Sequence, residues 1–174
     1  MSRLTGLSQA AKQAMFAAET NEQLITLVTI EYKNPQGTTQ YFRLADSYTQ
    51  RISETDSDIT YGVVSGGNSF YFLPLQITLP DETDNSMPRC SITINDVTRY
   101  LTGAIRELYE PPKVTLQLVL ASQPNTIEAS FGGLYITNIS YNADSVQLQL
   151  EMINYASEPF PAYTFSPNYF PGLF

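Results

Sequence analysis

The side chains that could support chemistry are few, and most of them are carboxylates. The 174-residue sequence contains no histidine. This removes histidine-dependent triads, histidine-ligated metals and the usual general base at neutral pH. The single cysteine, Cys90, cannot build an internal disulfide or a zinc site of several thiolates. It lies beside an apolar stretch that predicts a strand, and we interpret it as a small buried apolar residue.

Two acidic segments remain as candidates for a chemical site. The segment 81–86, which reads DETDNS, offers oxygen ligands for Ca²⁺ but lacks the glycine and the closing glutamate of an EF-hand loop. Glu54, Asp56 and Asp58 recur at every second residue, which suits an exposed strand face or a loop. We interpret both segments as solvated. No sequence pattern fixes two carboxylates at the separation that glycoside hydrolysis needs.

Two glycine pairs resemble phosphate-binding or oxyanion-binding loops only in composition. Neither 65–67 (SGG) nor 131–133 (FGG) is followed by a helix or by a P-loop lysine, so we interpret both as turns or bulges. With no catalytic residue, metal site or cofactor site predicted, we do not expect an enzyme.

The charge balance limits the class of partner. The net charge is −8 and the isoelectric point is near 4.4. Phosphate contacts need clustered Lys and Arg, and the nine basic residues are scattered, so we expect no specific nucleic-acid binding. No apolar run approaches the roughly 20 residues that span a bilayer, so stable membrane insertion is not expected either. Residues 1–9 lack the apolar core of a signal peptide, which favours synthesis in the cytoplasm.

Two helices are predicted among many strands. The segment Ser8–Ala18 repeats small and apolar residues at helical spacing, but this face is mostly alanine and would bury weakly alone, so the helix needs a partner surface. The second helix, 96–108, has a stronger apolar face and ends before Pro111-Pro112. The apolar face predicted for the first helix consists of Leu4, Leu7, Ala11, Met15 and Ala18.

The rest of the chain alternates apolar and polar residues in short runs separated by turns. Eight or nine strands are predicted, including 24–32, 60–64, 69–72, 127–131 and 134–141. The polar, acidic segment 46–59 is expected to be a loop. The fold class is therefore mainly β, with two packed antiparallel sheets in a sandwich or barrel, one flanking helix and a short N-terminal helix. We divide the chain into an N-terminal helical segment (1–20), a β-sandwich domain (21–157) and a C-terminal arm (158–174).

The arm, which reads EPFPAYTFSPNYFPGLF, is too rich in proline for a helix and too rich in aromatic residues for a disordered tail. Such a segment is expected to lie on a surface. It either folds back on its own subunit or contacts a neighbouring one. The candidate interface residues are Phe160, Tyr163, Phe165, Tyr169, Phe170, Leu173 and Phe174.

The endings EPFP (158–161) and FSPNYFPGLF (165–174) resemble a family of minor tail proteins of tailed bacteriophages. An alanine-rich helix followed by the strand 24–32 and an Asn34-Pro35 turn is similar as well. The resemblance implies a structural virion protein that belongs to a ring at the distal end of the tail tube. It also implies two packed sheets with a flanking helix.

The resemblance implies partners and a location too. The expected partners are further copies in a three-fold or six-fold ring and other tail proteins, namely tail tube, hub and tape measure. The expected location is the tail tip of the virion, after synthesis in the host cytoplasm. The alternative is a carbohydrate- or receptor-binding module at the tail tip that uses exposed tyrosines such as Tyr61, Tyr71 and Tyr135.

Overall fold

The computed structural model describes residues 6–34, 36–55, 58–79, 89–95, 110–142 and 145–152, together with Gly172. The expected helix 96–108, the acidic segment 81–86 and, Gly172 apart, the arm 158–174 lie outside the described residues. Within them, the helix α1 (Gln9–Phe16) precedes ten strands. The strands are β1 (Leu24–Lys33), β2 (Thr39–Ala45), β3 (Gln50–Thr55), β4 (Asp58–Ser65), β5 (Asn68–Phe72), β6 (Leu75–Thr78), β7 (Arg89–Ile94), β8 (Lys113–Leu120), β9 (Gln123–Tyr141) and β10 (Val146–Met152).

The fold is mainly β, as the sequence predicts. Hydrogen bonds connect all ten strands into one sheet, in the order β3-β4-β5-β2-β1-β8-β9-β10-β7-β6, rather than into two separate sheets. Neighbouring strands are antiparallel except for the short parallel pair of β2 and β5. Among the described strands the ladder is open, with β3 and β6 at its two edges.

The short connection between β5 and β6 forces the sheet to curl. These strands are third and tenth in the sheet order, so about 34 Å would separate them in a flat sheet with strands about 4.8 Å apart. Only Leu73 and Pro74 connect them, which spans roughly 10 Å. Leu73 N donates to Ala45 O (3.1 Å), and Asn95 N donates to Pro74 O (2.9 Å). The connection thus ties the ends of β2 and β7 together.

The hairpin of β4 and β5 folds back in another place, onto the start of β9. Its two-residue turn, Gly66-Gly67, has φ values of +55° and +77°, which glycine adopts without steric cost. Ser65 Oγ donates to Pro124 O (2.6 Å), and Gly66 N donates to Asn125 Oδ1 (2.9 Å). The interpretation of this glycine pair as a turn between the predicted strands 60–64 and 69–72 is confirmed.

Two hydrophobic cores lie on opposite faces of β1. Val28 and Ile30 belong to a first core, and Ile25 and Leu27 belong to a second. The first core draws on β1, β2 and β7 to β10, and the second on β1, β2, β4, β5 and β8. Alternate residues of a strand point to opposite faces, so a strand that is apolar at consecutive positions can serve both cores. This explains why the start of β1 is apolar on both faces.

Cys90 lies in the first core and is 3% exposed, which confirms its interpretation as a small buried residue. Burial raises the pKa of its thiol from 9.0 to about 11, because the apolar surroundings disfavour the thiolate. At neutral pH the side chain is therefore a neutral packing group with little nucleophilic character.

The expectation of a loop at 46–59 is wrong, and the strands expected at 127–131 and 134–141 are confirmed but are continuous rather than separate. The segment 46–59, expected to be a loop, contains β3 and the start of β4. Its polar composition reflects the position of β3 at the edge of the sheet, where charged residues are common. The candidates 127–131 and 134–141 are parts of the single strand β9, whose pairing with β8 shifts register around Gly132-Gly133. The interpretation of that glycine pair as a bulge is confirmed.

Candidate functional site: a helix face and an aromatic cluster

The N-terminus of α1 is fixed by its cap and by a buried acid. Ser8 is the N-cap, and its Oγ accepts from Ala11 N (3.1 Å). Ser8 N in turn donates to Oε2 of Glu128, 120 residues away in β9 (2.8 Å). A carboxylate at this end of a helix also complements the positive end of the helix dipole. The sequence prediction of a helix in this region is confirmed, with the helix ending at Phe16.

Glu128 is buried because β9 has a bulge at this position. Ile127 pairs with Val119 and Ala129 with Leu118, so Glu128 is the extra residue between two registered pairs. The bulge leaves Ile127 48% exposed while Glu128 is only 8% exposed. Oε1 of Glu128 is buried without a hydrogen-bond partner among the described residues. A buried oxygen without a hydrogen-bond partner lowers the stability of the fold, and this oxygen belongs to the residue that holds the N-terminus of α1.

The apolar face of α1 begins on the domain and continues into solvent. Ala11 is the buried residue of the helix, at 5% exposed. Met15 lies one turn further along the same face, yet it is 62% exposed, and Phe16 beside it is 77% exposed. The sequence predicts that this alanine-rich face buries little on its own, and the exposure of Met15 and Phe16 confirms this. Half of the helix is thus docked and half presents large apolar side chains.

A second exposed apolar group surrounds Tyr48, which precedes β3. Its ring lies 5.1 Å from that of Tyr61 and 5.2 Å from that of Phe72, the latter in an edge-to-face arrangement. Tyr48 is 53% exposed and Tyr61 39%. We call these three residues the aromatic cluster. Of the tyrosines predicted for ligand binding, only Tyr61 belongs to it.

The structure does not bring the other predicted tyrosines to this place. Tyr71 is 47% exposed but occupies the position next to Phe72 in β5, so it projects from the opposite face of the strand. Tyr135 pairs with Lys113 and Glu151 in the second half of β9. The seven predicted interface residues of the arm lie outside the described residues.

Acidic residues do not gather into a metal site in the part of the chain that the structure describes: no group of three or more Cys, Asp or Glu side chains has the required proximity. Glu54 instead pairs with Arg51 (2.6 Å) on the surface. None of the described helices is long and apolar enough to cross a membrane.

Comparison with known proteins places the chain in a family. It belongs to the family described as a domain of unknown function, DUF1833, whose model matches residues 10–165. No curated protein matches the chain. Among solved structures, the fold is similar to a chain in the virion of a native gene transfer agent particle. The TM-score is 0.51 at 14% identity over 92% of this chain, which spans half the length of that one.

Proposed function

We propose that the protein is a structural virion protein, a subunit of a ring at the distal end of a phage tail tube. The observation that carries this proposal is the apolar face of α1, which starts in the domain at Ala11 and continues to the solvent-exposed Met15 and Phe16. A neighbouring subunit that covered this face would bury Met15 and Phe16, which the single chain leaves exposed.

The fold supports a place in a particle. A chain of a gene transfer agent virion has the same fold over most of this chain's length. The resemblance of the sequence to minor tail proteins points to the same class of assembly. Further copies in a three-fold or six-fold ring, and the tail tube, hub and tape measure proteins, are the proposed partners.

The geometry of a ring suits the features of this chain. Contacts in a ring join two different patches, so an element that extends from one subunit onto the next needs no self-complementarity. The helix α1 is such an element, and the arm 158–174 is proposed to be another. Full burial of Met15 and Phe16 would contribute about 1.5–3 kcal/mol each. The net charge of −8 fits a tail protein that lets DNA pass without binding it. We propose no enzymatic activity.

Assembly of a Met15→Ser, Phe16→Ser double variant tests the proposal. The wild-type chain is expected to form rings that are visible by negative-stain electron microscopy and sediment as oligomers. The double variant should keep its thermal unfolding temperature, since both side chains are exposed, and should assemble at least about tenfold more weakly.

Tyr41→Ser is the matched control. This side chain is 48% exposed on β2 and does not belong to the apolar face of α1, so its loss should leave assembly unchanged. Rings from the double variant at wild-type concentrations would show that the face of α1 is not an interface. A wild-type chain that stayed monomeric at all concentrations would contradict the ring itself.

A further inference from the structure

We infer that the open pocket beside the aromatic cluster binds a neutral sugar residue. This site is separate from the helix face on which the proposed assembly rests. It lies where the curl of the sheet brings the end of β2, the β5–β6 connection and the end of β7 together. Its volume is about 290 Å³, and its described lining residues are Asp46, Phe72, Pro74, Leu75, Gln76, Thr93 and Asn95.

One polar group of this pocket, the Asp46 carboxylate, is held in place by hydrogen bonds of the fold, and two others lie on one face of the β6–β7 ladder. Asp46 Oδ1 accepts from Thr26 N (2.9 Å), while Asp46 N donates to Thr26 O (3.2 Å), so the carboxylate has a fixed direction. Gln76 and Thr93 are directly opposite each other in the β6–β7 ladder and share one face. Carboxylate, amide and hydroxyl groups together offer both donors and acceptors, which sugar hydroxyls require.

Phe72 connects the polar pocket to the aromatic cluster. Its half-buried ring contacts Tyr48, and Tyr48 contacts Tyr61, so two exposed tyrosine rings follow the ring that lines the pocket. The faces of aromatic rings are electron-rich and attract the weakly positive C–H groups on the flat side of a pyranose. A sugar ring has an apolar side and a rim of polar hydroxyl groups. An exposed aromatic surface beside groups that bind hydroxyls can contact both parts of the ring.

The charge and the volume of the pocket limit the class of ligand that it can bind. No Lys or Arg is among the described lining residues, and Asp46 is an acid, so anionic saccharides and phosphate groups would be repelled. The volume is at the lower end of small-molecule sites, which start at about 300 Å³. The pocket therefore fits one neutral hexose or N-acetylhexosamine unit, with the next unit of an oligosaccharide over Tyr48.

Binding of the full 174-residue chain to an array of oligosaccharides tests this inference. The probes are neutral glucose, galactose and N-acetylglucosamine oligomers, with sialylated and sulfated oligosaccharides for comparison. Neutral oligomers should bind and the charged ones should not. Titration of the best neutral probe should show that Gln76→Ala and Tyr48→Ala each weaken binding by about tenfold.

Tyr71→Ala is the matched control, because this tyrosine is equally exposed on the opposite face of β5 and should change affinity by less than about twofold. Gln76 is exposed, so its variant should unfold at the wild-type temperature and report on binding alone. The inference is overturned if no neutral oligomer binds, if charged oligomers bind better, or if Tyr71→Ala weakens binding as much as Gln76→Ala.

The two proposals can fail independently. Gln76→Ala should assemble like the wild type, and the Met15→Ser, Phe16→Ser variant should bind sugar like the wild type. Loss of sugar binding in the helix variant would overturn the separation of the two sites.

Discussion

Gly62 in β4 occupies a position where the neighbouring strands β3 and β5 leave no room for a side chain. A Cβ atom there would overlap the carbonyl oxygen of Phe70 on the paired strand and approach Cδ1 of Ile52 at 2.5 Å. The backbone oxygen cannot move without disturbing the β4–β5 ladder. We expect Gly62→Ala to lower the free energy of unfolding by about 3 kcal/mol, or roughly 6–12 °C in thermal unfolding.

Gly132→Ala is the control for that measurement. No atom lies within 4 Å of a Cβ at this position, so the same substitution there should leave the unfolding temperature nearly unchanged. Equal destabilisation by both variants would contradict the steric explanation, because Gly132 has room for the added methyl group.

The sequence alone predicts some residues of the aromatic cluster and of the contact that holds α1, but not others. Tyr61 could be named only as one tyrosine of a predicted strand, because the surrounding sequence, TYGVV, does not alternate apolar and polar residues. Tyr48 and Phe72 could not be grouped with it, because their contact depends on the pairing of β3, β4 and β5. The burial of Glu128 is even harder to predict from the sequence, because it results from a one-residue bulge that the local alternation of residues does not show.

Among the elements, α1 is attached to β9 by a hydrogen bond between residues far apart in sequence, from Ser8 N to Glu128. Replacing Glu128 by leucine would remove the acceptor of Ser8 N and also the buried oxygen that has no described partner. We expect amide hydrogen exchange in residues 12–16 to accelerate by at least about tenfold, while the unfolding temperature of the β domain changes little. The measurement is hydrogen exchange resolved by residue.

Glu128→Gln provides the comparison, because its side-chain oxygen can still accept from Ser8 N. Exchange in α1 should stay within about threefold of the wild type for this variant. If Glu128→Leu protected α1 as well as the wild type does, contacts other than this hydrogen bond would hold the helix.

The sequence predicts helices and strands correctly where the periodicity of apolar residues is strong. The helix near the N-terminus, the strand β1 and the hairpin at Gly66-Gly67 follow from local patterns. The sequence does not indicate the strand β3, because an edge strand needs few apolar residues. The two halves of β9 were separated because Gly132-Gly133 is a turn signal in isolation, whereas pairing with β8 on both sides makes it a bulge.

For the whole molecule, the curled single sheet follows from pairings between distant segments. The sequence favours two packed sheets, since alternating strands with short turns are common to sandwiches and to curled sheets. Three facts distinguish them: the two-residue connection of β5 to β6, the sheet order, and a β1 buried on both faces. Only the last is visible in the sequence. The wrapping of the sheet around two cores therefore needed the structure.

In the assembled particle, the arm 158–174 is expected to contact a neighbouring subunit. Its residues 168–174, which read NYFPGLF, carry four large apolar side chains whose neighbouring prolines limit the entropy lost on ordering. If they bind a neighbouring subunit, deleting residues 168–174 should leave a monomer with the wild-type unfolding temperature and abolish ring formation. Thermal unfolding and sedimentation of the same sample separate the two effects.

A Phe170→Ser, Phe174→Ser variant of full length serves as the companion, because it keeps the chain length and the prolines but removes two aromatic anchors. It should fold like the wild type and assemble more weakly, by several kcal/mol per contact if each ring contributes about 1.5–3 kcal/mol. Should both variants instead unfold at a clearly lower temperature, the arm would belong to the core of its own subunit. Assembly would then depend on the face of α1, where the Met15→Ser, Phe16→Ser variant tests it separately.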